Sequence, residues 1–394
     1  MLPTPKGYKF ASLDAGFRYK GREDLALIIS DTPATAAAVF TTNKFQAAPV
    51  LVGKAILDES STVRGTVINA GFANACTGAE GVADCRETLE LLSAELGIEA
   101  RDLLPASTGV IGPRFNMDKW RAAAPKIAER VGKDDPIKAA KAIMTTDKFP
   151  KIAWGETIVA GKTVRMLGMC KGAGMISPNM ATMLGFVFCD AGVDADWWKQ
   201  ALRRCVDKSF NCITVDGDTS TNDTVMAFAN GASGAQAENA NDDSAIEALL
   251  LDICQQLSYM IVQDAEGGTK VMTISVSGAA SDADAELIVR AVGNSPLVKT
   301  ALFGEDPNWG RIVAAAGRSG AEFDPEKLTL SFGKVVVFEK GKPVAGDLDA
   351  LLEPIMRKQD IDVIITLGDG DGTSMLKASD LTNEYIRINA DYRS

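Results

Sequence analysis

Histidine is absent from the 394 residues. That absence removes Ser-His-Asp and Cys-His catalysis, histidine-ligated zinc and iron, and any imidazole proton shuttle. An enzyme built from this chain must take its base from a perturbed carboxylate or lysine, a cysteine thiolate, or an α-amino group. Paired cysteines are lacking too: Cys76, Cys85, Cys170, Cys189, Cys205, Cys212 and Cys254 are odd in number and widely spaced, with no C-x-x-C. They read as reduced, buried fillers, which suits a cytosolic compartment. The longest apolar runs, such as 183–189, fall far short of the roughly 18 residues that span a bilayer. Residues 1–20 lack the apolar core of a secretory signal. Lys and Arg are outnumbered by Asp and Glu, giving a formal charge of −11, which repels nucleic acid and anionic membranes. The expectation is a cytoplasmic protein that engages neither.

What is present is an intermixed pattern of strands and helices, which predicts an α/β or α+β fold of layered sheets covered by helices. Apolar stretches bounded by turn residues predict strands over 25–29, 62–68, 270–276, 328–332 and 363–367. Residues 157–160 and 163–169, joined by Gly161-Lys162, predict a hairpin. Helical spacing appears at Cys85, Leu89, Leu92 and Leu96, at Trp198, Leu202 and Cys205, and at Ile246, Leu249, Leu250, Ile253 and Leu257. Asp196 and Asp243 or Ser244 are the expected caps of the last two helices. No tandem repeat is visible, and Gly-rich turns between Asp264 and Gly320 mark a candidate boundary. Two calcium-loop look-alikes, starting at Asp216 and Asp369, carry Thr219-Ser220-Thr221 and Gly372-Thr373-Ser374 where the sixth position needs Gly. Lys171-Gly172-Ala173-Gly174 has too few glycines, in the wrong order, for a P-loop, so no metal or nucleotide site is expected from these elements.

Residues 170–188 differ in kind. A Gly- and Pro-punctuated approach runs into a near-continuous apolar strand beginning at Thr182, which would be buried on both faces. A loop entering a core strand is one explanation. The other is chemical: Thr182 Oγ can attack the carbonyl of Ala181, move the acyl group from nitrogen to oxygen and, after hydrolysis, cut the chain. Thr182 would then carry a free α-amine, with an unperturbed pKa of about 7.7–8.0 that burial lowers further. Threonine paired with its own N-terminal amine is an activated nucleophile, and this base is open to a chain without histidine.

Lys171-Gly172-Ala173-Gly174-Met175-Ile176, then Pro178-Asn179-Met180-Ala181-Thr182-Met183-Leu184, resembles the self-cleavage signature of the ornithine acetyltransferases, the glutamate N-acetyltransferases of arginine biosynthesis. The resemblance runs almost end to end, through Asp24-Leu25-Ala26-Leu27-Ile28, Ser107-Thr108-Gly109-Val110-Ile111-Gly112, Thr145-Thr146-Asp147, residues 215–224, Asp264-Ala265-Glu266-Gly267, Asp306-Pro307-Asn308-Trp309-Gly310-Arg311 and residues 388–394. Ser177 departs from the family, whose members often carry histidine there.

The resemblance implies cleavage between Ala181 and Thr182 into chains 1–181 and 182–394 that stay folded together, with a C-terminal subdomain from about 280–394. It implies an αββα-like sandwich, similar to N-terminal nucleophile enzymes but with its own topology. Thr182 would take the acetyl group of N-acetylornithine and pass it to glutamate, with Thr108 and Gly109 stabilising the oxyanion. Substrate contacts carry over to Thr145, Lys171, Thr182, Glu266, Asn389 and Ser394: Lys171 suits an α-carboxylate and Glu266 an ammonium group. No metal or organic cofactor is implied, acetyl-CoA is a candidate second donor, and the assembly is a heterotetramer of two alpha and two beta chains. Two alternatives stay open: a related aminopeptidase-type hydrolase that gives the acyl group to water, and a non-catalytic binding relative. Residues 216–224 are either a turn or a network behind the site.

Overall fold

The structure, a computed structural model, describes residues 2–177, 183–237 and 239–391. Ala181, Thr182 and Ser394 lie outside the described residues. The chain divides into two units, one taking residues up to Asn211 plus Asp218–Ile261, the other Cys212–Gly217 plus Val262–Tyr392. Each is mixed α/β around its own sheet, in line with the expected class.

The first unit contains β1 (Tyr8–Leu13), β2 (Leu25–Phe40), β3 (Thr62–Phe72), β4 (Leu103–Val110), β5 (Lys151–Val159), β6 (Lys162–Lys171) and β7 (Leu184–Cys189). The two-residue β8 (Ile213–Thr214) belongs to the second unit, and β9 (Thr224–Ala229) returns to the first. The sheet order is β4-β3-β2-β9-β7-β6-β5, with β1 antiparallel to β2. The apolar pattern stops β2 at residue 29 because Asp31-Thr32-Pro33 reads as a turn. Instead the chain shifts register against β3 between Ile29 and Ala34, keeps β3 as its partner at Ala34 and Thr35, and pairs β9 from Thr35 to Phe40. All six residues of β7 are buried, as a strand with a parallel partner on one side and an antiparallel one on the other requires.

Helices α1 (Ala48–Glu59), α2 (Gly78–Leu96), α3 (Met117–Ala128), α4 (Pro136–Ala142), α5 (Ala195–Asp207) and α6 (Ala240–Gln263) accompany this sheet. Cap assignments differ from expectation. Asp194, not Asp196, receives the Trp197 N–H of α5, and Asn239 receives the Asn241 and Asp242 N–H groups at the start of α6. In both cases the polar side chain just outside the first turn is the one that reaches the free amides. By length and hydropathy α6 could cross a membrane, contrary to the apolar-run count. Yet Ile246, Leu250, Ile253, Cys254 and Leu257 are all buried, and side chains added at Gly155 and Gly168 would meet Leu249, Ile253 and Leu257 within 2.7 Å. Two glycines thus seat α6 on the β5–β6 hairpin, the packing of a core helix.

The second unit has β8, β10 (Val271–Ala279), β11 (Thr329–Phe332), β12 (Val335–Glu339), β13 (Lys342–Pro343), β14 (Asp360–Thr366) and β15 (Gly372–Ser379), in the order β13-β12-β11-β14-β10-β15-β8. Helices α7 (Asp282–Gly293), α8 (Pro296–Phe303), α9 (Trp309–Gly317), α10 (Asp349–Met356) and α11 (Asn383–Asp391) belong with it. This unit takes in β10, a central strand, so it resumes at Val262, ahead of the turn-marked stretch from Asp264 to Gly320 and of the subdomain start expected at about 280. Five cysteines are buried fillers as expected, but Cys76 is exposed and Cys212 half-buried.

Candidate active site

Ser107, Thr108 and Gly109 lie within β4 near its end, in a parallel register that sets Thr108 opposite Ala70 and Gly109 opposite Gly71. Gly109 has φ +131°, and a Cβ there would lie 2.2 Å from the Gly71 carbonyl carbon. Only glycine satisfies both the dihedral and the close approach. Two buried asparagines hold this strand end. Asn69 Oδ1 accepts from Ser107 Oγ at 2.7 Å, while Asn222 Nδ2 donates to the carbonyls of Ser107 (2.9 Å) and Ala73 (2.6 Å). Residues 216–224 are therefore more than a turn: their latter half is wired to the backbone that presents Thr108.

Lys171 ends β6, opposite Leu184 at the start of β7, and is buried. Its Nζ donates to Thr108 Oγ1 at 3.2 Å. A hydroxyl that accepts from an ammonium keeps its own proton for another acceptor. Behind Lys171 lies Asp147, whose side chain, like that of Lys151, is fully shielded from solvent. Asp147 Oδ1 accepts from Lys151 Nζ and the Gly172 N–H, each at 2.7 Å, and Oδ2 accepts from the Thr145 N–H at 3.0 Å. Burial alone would raise the Asp147 carboxyl. The Lys171 and Lys151 charges, with the bonds from Lys151 and Gly172, outweigh that and bring it down to about 2.

Among the expected site residues, the structure joins Lys171 to Thr108 directly and fastens the Thr145 backbone through Asp147 to Gly172, the residue after Lys171. In the second unit, Asn389 Nδ2 donates to Glu266 Oε2 at 2.9 Å and to the Tyr385 carbonyl at 3.1 Å. Glu266 is buried on a turn held by Thr382 Oγ1, which donates to the Gly267 carbonyl. Asn389 is thus anchored by α11. Sequence reasoning missed Asp147, Lys151, Asn69 and Asn222. Asp147 stood inside the Thr145-Thr146-Asp147 motif and Asn222 inside 215–224, while Lys151 resembles any surface lysine. No cluster of metal-ligating side chains occurs among the described residues.

Residues 9–394 match the sequence pattern of the ArgJ family. An arginine biosynthesis bifunctional protein ArgJ from Nitratidesulfovibrio vulgaris is 55% identical over 394 residues, covering all of both chains. A protein of the same name from Geobacter sulfurreducens is 46% identical over 391 residues, 99% of each chain. The solved arginine biosynthesis bifunctional protein ArgJ from Bacillus halodurans is 35% identical, with a TM-score of 0.50 over 54% of this chain and 100% of that one.

Proposed function

This chain belongs to the ArgJ family, and we propose that it carries out the acetyl transfer of arginine biosynthesis through a threonine nucleophile freed at residue 182. The chain is a transferase acting on small amino-acid substrates, with N-acetylornithine as donor and glutamate as acceptor. In the precursor, Thr182 Oγ attacks the Ala181 carbonyl, and water hydrolyses the resulting ester to leave a free Thr182 amine. That amine accepts the hydroxyl proton as Oγ attacks the acetyl carbonyl of N-acetylornithine. The Thr108 hydroxyl and the Gly109 N–H donate to the oxyanion. Collapse expels ornithine, whose nitrogen takes the proton back. The acetyl ester is then attacked by the glutamate amine, which passes its proton to the Thr182 amine as N-acetylglutamate forms, and Oγ recovers it.

The observation that carries this mechanism is the Lys171–Thr108 hydrogen bond, which turns the Thr108 proton away from Lys171 and so makes it available to an oxyanion. Histidine being absent, a terminal amine is the base closest to neutral pKa. The Bacillus halodurans chain is matched in full by 54% of this one, the share that residues 182–394 make up. Lys171 holds an α-carboxylate, Thr145 contributes a further substrate contact, and Glu266, Asn389 and Ser394 receive substrate nitrogen and carboxylate groups. No metal or organic cofactor takes part, acetyl-CoA serves as a second donor, and the working form is a cytoplasmic heterotetramer of two alpha and two beta chains.

The test supplies N-acetylornithine with and without glutamate. Continuous ornithine release only with glutamate, matched by N-acetylglutamate, is the expected result. Free acetate formed equally under both conditions would establish a hydrolase instead. The Thr182→Ala chain should remain uncut and inactive.

A further inference from the structure

Residues 219–224 grip the chain on both sides of the bond expected to break. Ala181 and Thr182 lie outside the described residues, but Ser177 and Met183 on either side do not. Upstream, Thr219 Oγ1 donates to the carbonyl of Ser177 at 3.0 Å. Downstream, the Thr224 N–H donates to the carbonyl of Met183 at 3.0 Å. The next residue, Leu184, pairs with Lys171 on one side and Thr224 on the other. The two flanks also meet at Gly172, where an added Cβ would lie 3.0 Å from Ile176 Cδ1 and 3.4 Å from Met183 Cβ. The gripping segment is itself fixed. Its carbonyls at Thr219 and Ser220 accept from Asn43 Nδ2 (3.0 Å) and Thr41 Oγ1 (2.8 Å). Those at Thr221 and Asp223 accept from the N–H groups of Ala47 and Thr41, each at 2.9 Å.

The two grips differ in kind. The downstream one joins main chain to main chain beside the β7–β9 pairing, so no side-chain change removes it. The upstream one depends on a hydroxyl. We propose that Thr219 is a positioning residue for self-cleavage: its hydroxyl fixes the Ser177 end of the segment that carries the scissile bond, as the sheet fixes the Met183 end. The inference rests on the cleavage at residue 182 proposed above and deepens it by giving maturation a residue of its own. In that step the Thr182 Oγ–C bond forms as the C–N bond after Ala181 breaks, and the hydroxyl proton ends on the freed nitrogen. Water then supplies hydroxide to the Ala181 carbonyl and returns a proton to Oγ. The nucleophile and the carbonyl belong to one chain segment, so the rate depends on how narrowly the ends of that segment are held. After the cut, Thr182 is continuous with β7, whereas Thr219 holds only the tail of the chain ending at Ala181. Acetyl transfer should then be indifferent to a hydroxyl that cleavage requires.

The experiment follows pulse-labelled full-length chain made by cell-free synthesis. Denaturing gels read the half-time of its conversion into chains 1–181 and 182–394, and intact mass identifies the products. Thr219→Val keeps the shape but removes the donor, and its half-time should lengthen about tenfold or more. Thr219→Ser restores the hydroxyl and should cleave within about threefold of the parent. Ornithine release from N-acetylornithine and glutamate, normalised to the amount of cut chain, should stay within about threefold of the parent in both variants. The assignment is overturned if Thr219→Val cuts at the parent rate, if Thr219→Ser is as slow as Thr219→Val, or if cleavage and normalised turnover fall together. Should Thr219→Val give no folded chain, Asn43→Ala decides. That change frees the Thr219 carbonyl, leaves the hydroxyl in place and should slow cleavage about threefold or more, cleavage at the parent rate being the contrary result. If the parent chain is never cut, the cleavage reading itself fails; if it is cut and Thr219→Val is cut as fast, only the positioning role falls.

Discussion

In the second unit, Lys270 Nζ donates to the carbonyls of Met356 and Lys358 and to Glu305, and Lys299 Nζ donates to the Ser379 carbonyl and hydroxyl. In the first unit, Lys171 reaches a threonine hydroxyl at the end of β4, and Lys151 reaches a carboxylate that also gathers two backbone N–H groups. All four lysines are buried, so burial does not distinguish them. What differs is the main-chain share. Lys270 and Lys299 each donate to backbone carbonyls as well as to a side chain, which ties chain segments together, whereas Lys171 donates to the hydroxyl of Thr108 and Lys151 to the carboxylate that also holds the Gly172 and Thr145 N–H groups.

The comparison is broken most directly at Thr108. Thr108→Val keeps the shape but removes the hydroxyl, and kcat should fall by about 10²–10³, the usual cost of losing an oxyanion donor. Its unfolding free energy should change by only about 1 kcal/mol. Steady-state kinetics and denaturant melts on the same preparation check both halves. Comparable losses in rate and stability would place Thr108 with the structural group.

Lys299 supplies the next effect. Burial pushes its ammonium down to about 8, against the opposing pull of Asp380 and Asp216. The unfolded chain, near the ordinary value of about 10.4, then binds more protons than the folded one between those limits. Stability should therefore rise with pH across that window, by about 3 kcal/mol relative to Lys299→Met. Denaturant titrations at pH 7.5, 9 and 10.5 read the difference, and parallel curves would contradict it.

Asp147 moves the other way. Its carboxyl is brought to about 2, below the ordinary carboxylate range, so its contribution is present above about pH 4 and disappears as pH falls through 2. That is worth about 2 kcal/mol. Acid melts of the parent should be steeper over this interval than those of Asp147→Asn. The smallest change is expected at Glu305, which is 46% exposed: Glu305→Gln leaves both carbonyl acceptors of Lys270 in place and should cost under about 1 kcal/mol in thermal melts.

Much of the fold was legible because periodicity is local. The apolar faces of α2, α5 and α6 and the β5–β6 hairpin follow directly from spacing. The second half of β2 was not, because Asp31-Thr32-Pro33 carries turn chemistry and long-range pairing with β3 and then β9 keeps the strand going. The site divides along similar lines. Thr108, Gly109 and Lys171 stand in motifs that mark themselves. Lys151 becomes meaningful only once folding places it against Asp147, four residues back and fully shielded. Asn222 likewise gains its role from two carbonyls more than a hundred residues away in sequence, a relation that no local pattern encodes.

The account turns on the acetyl group resting on a chain that begins with Thr182. Brief exposure of the purified enzyme to N-acetylornithine, without glutamate, followed by intact mass measurement of the separated chains, tests this directly. The expected result is two chains divided between residues 181 and 182, with only the one starting at Thr182 heavier by one acetyl group and relieved of it when glutamate is added. An active enzyme that is contiguous through that bond, or an acetyl group carried elsewhere, would contradict it.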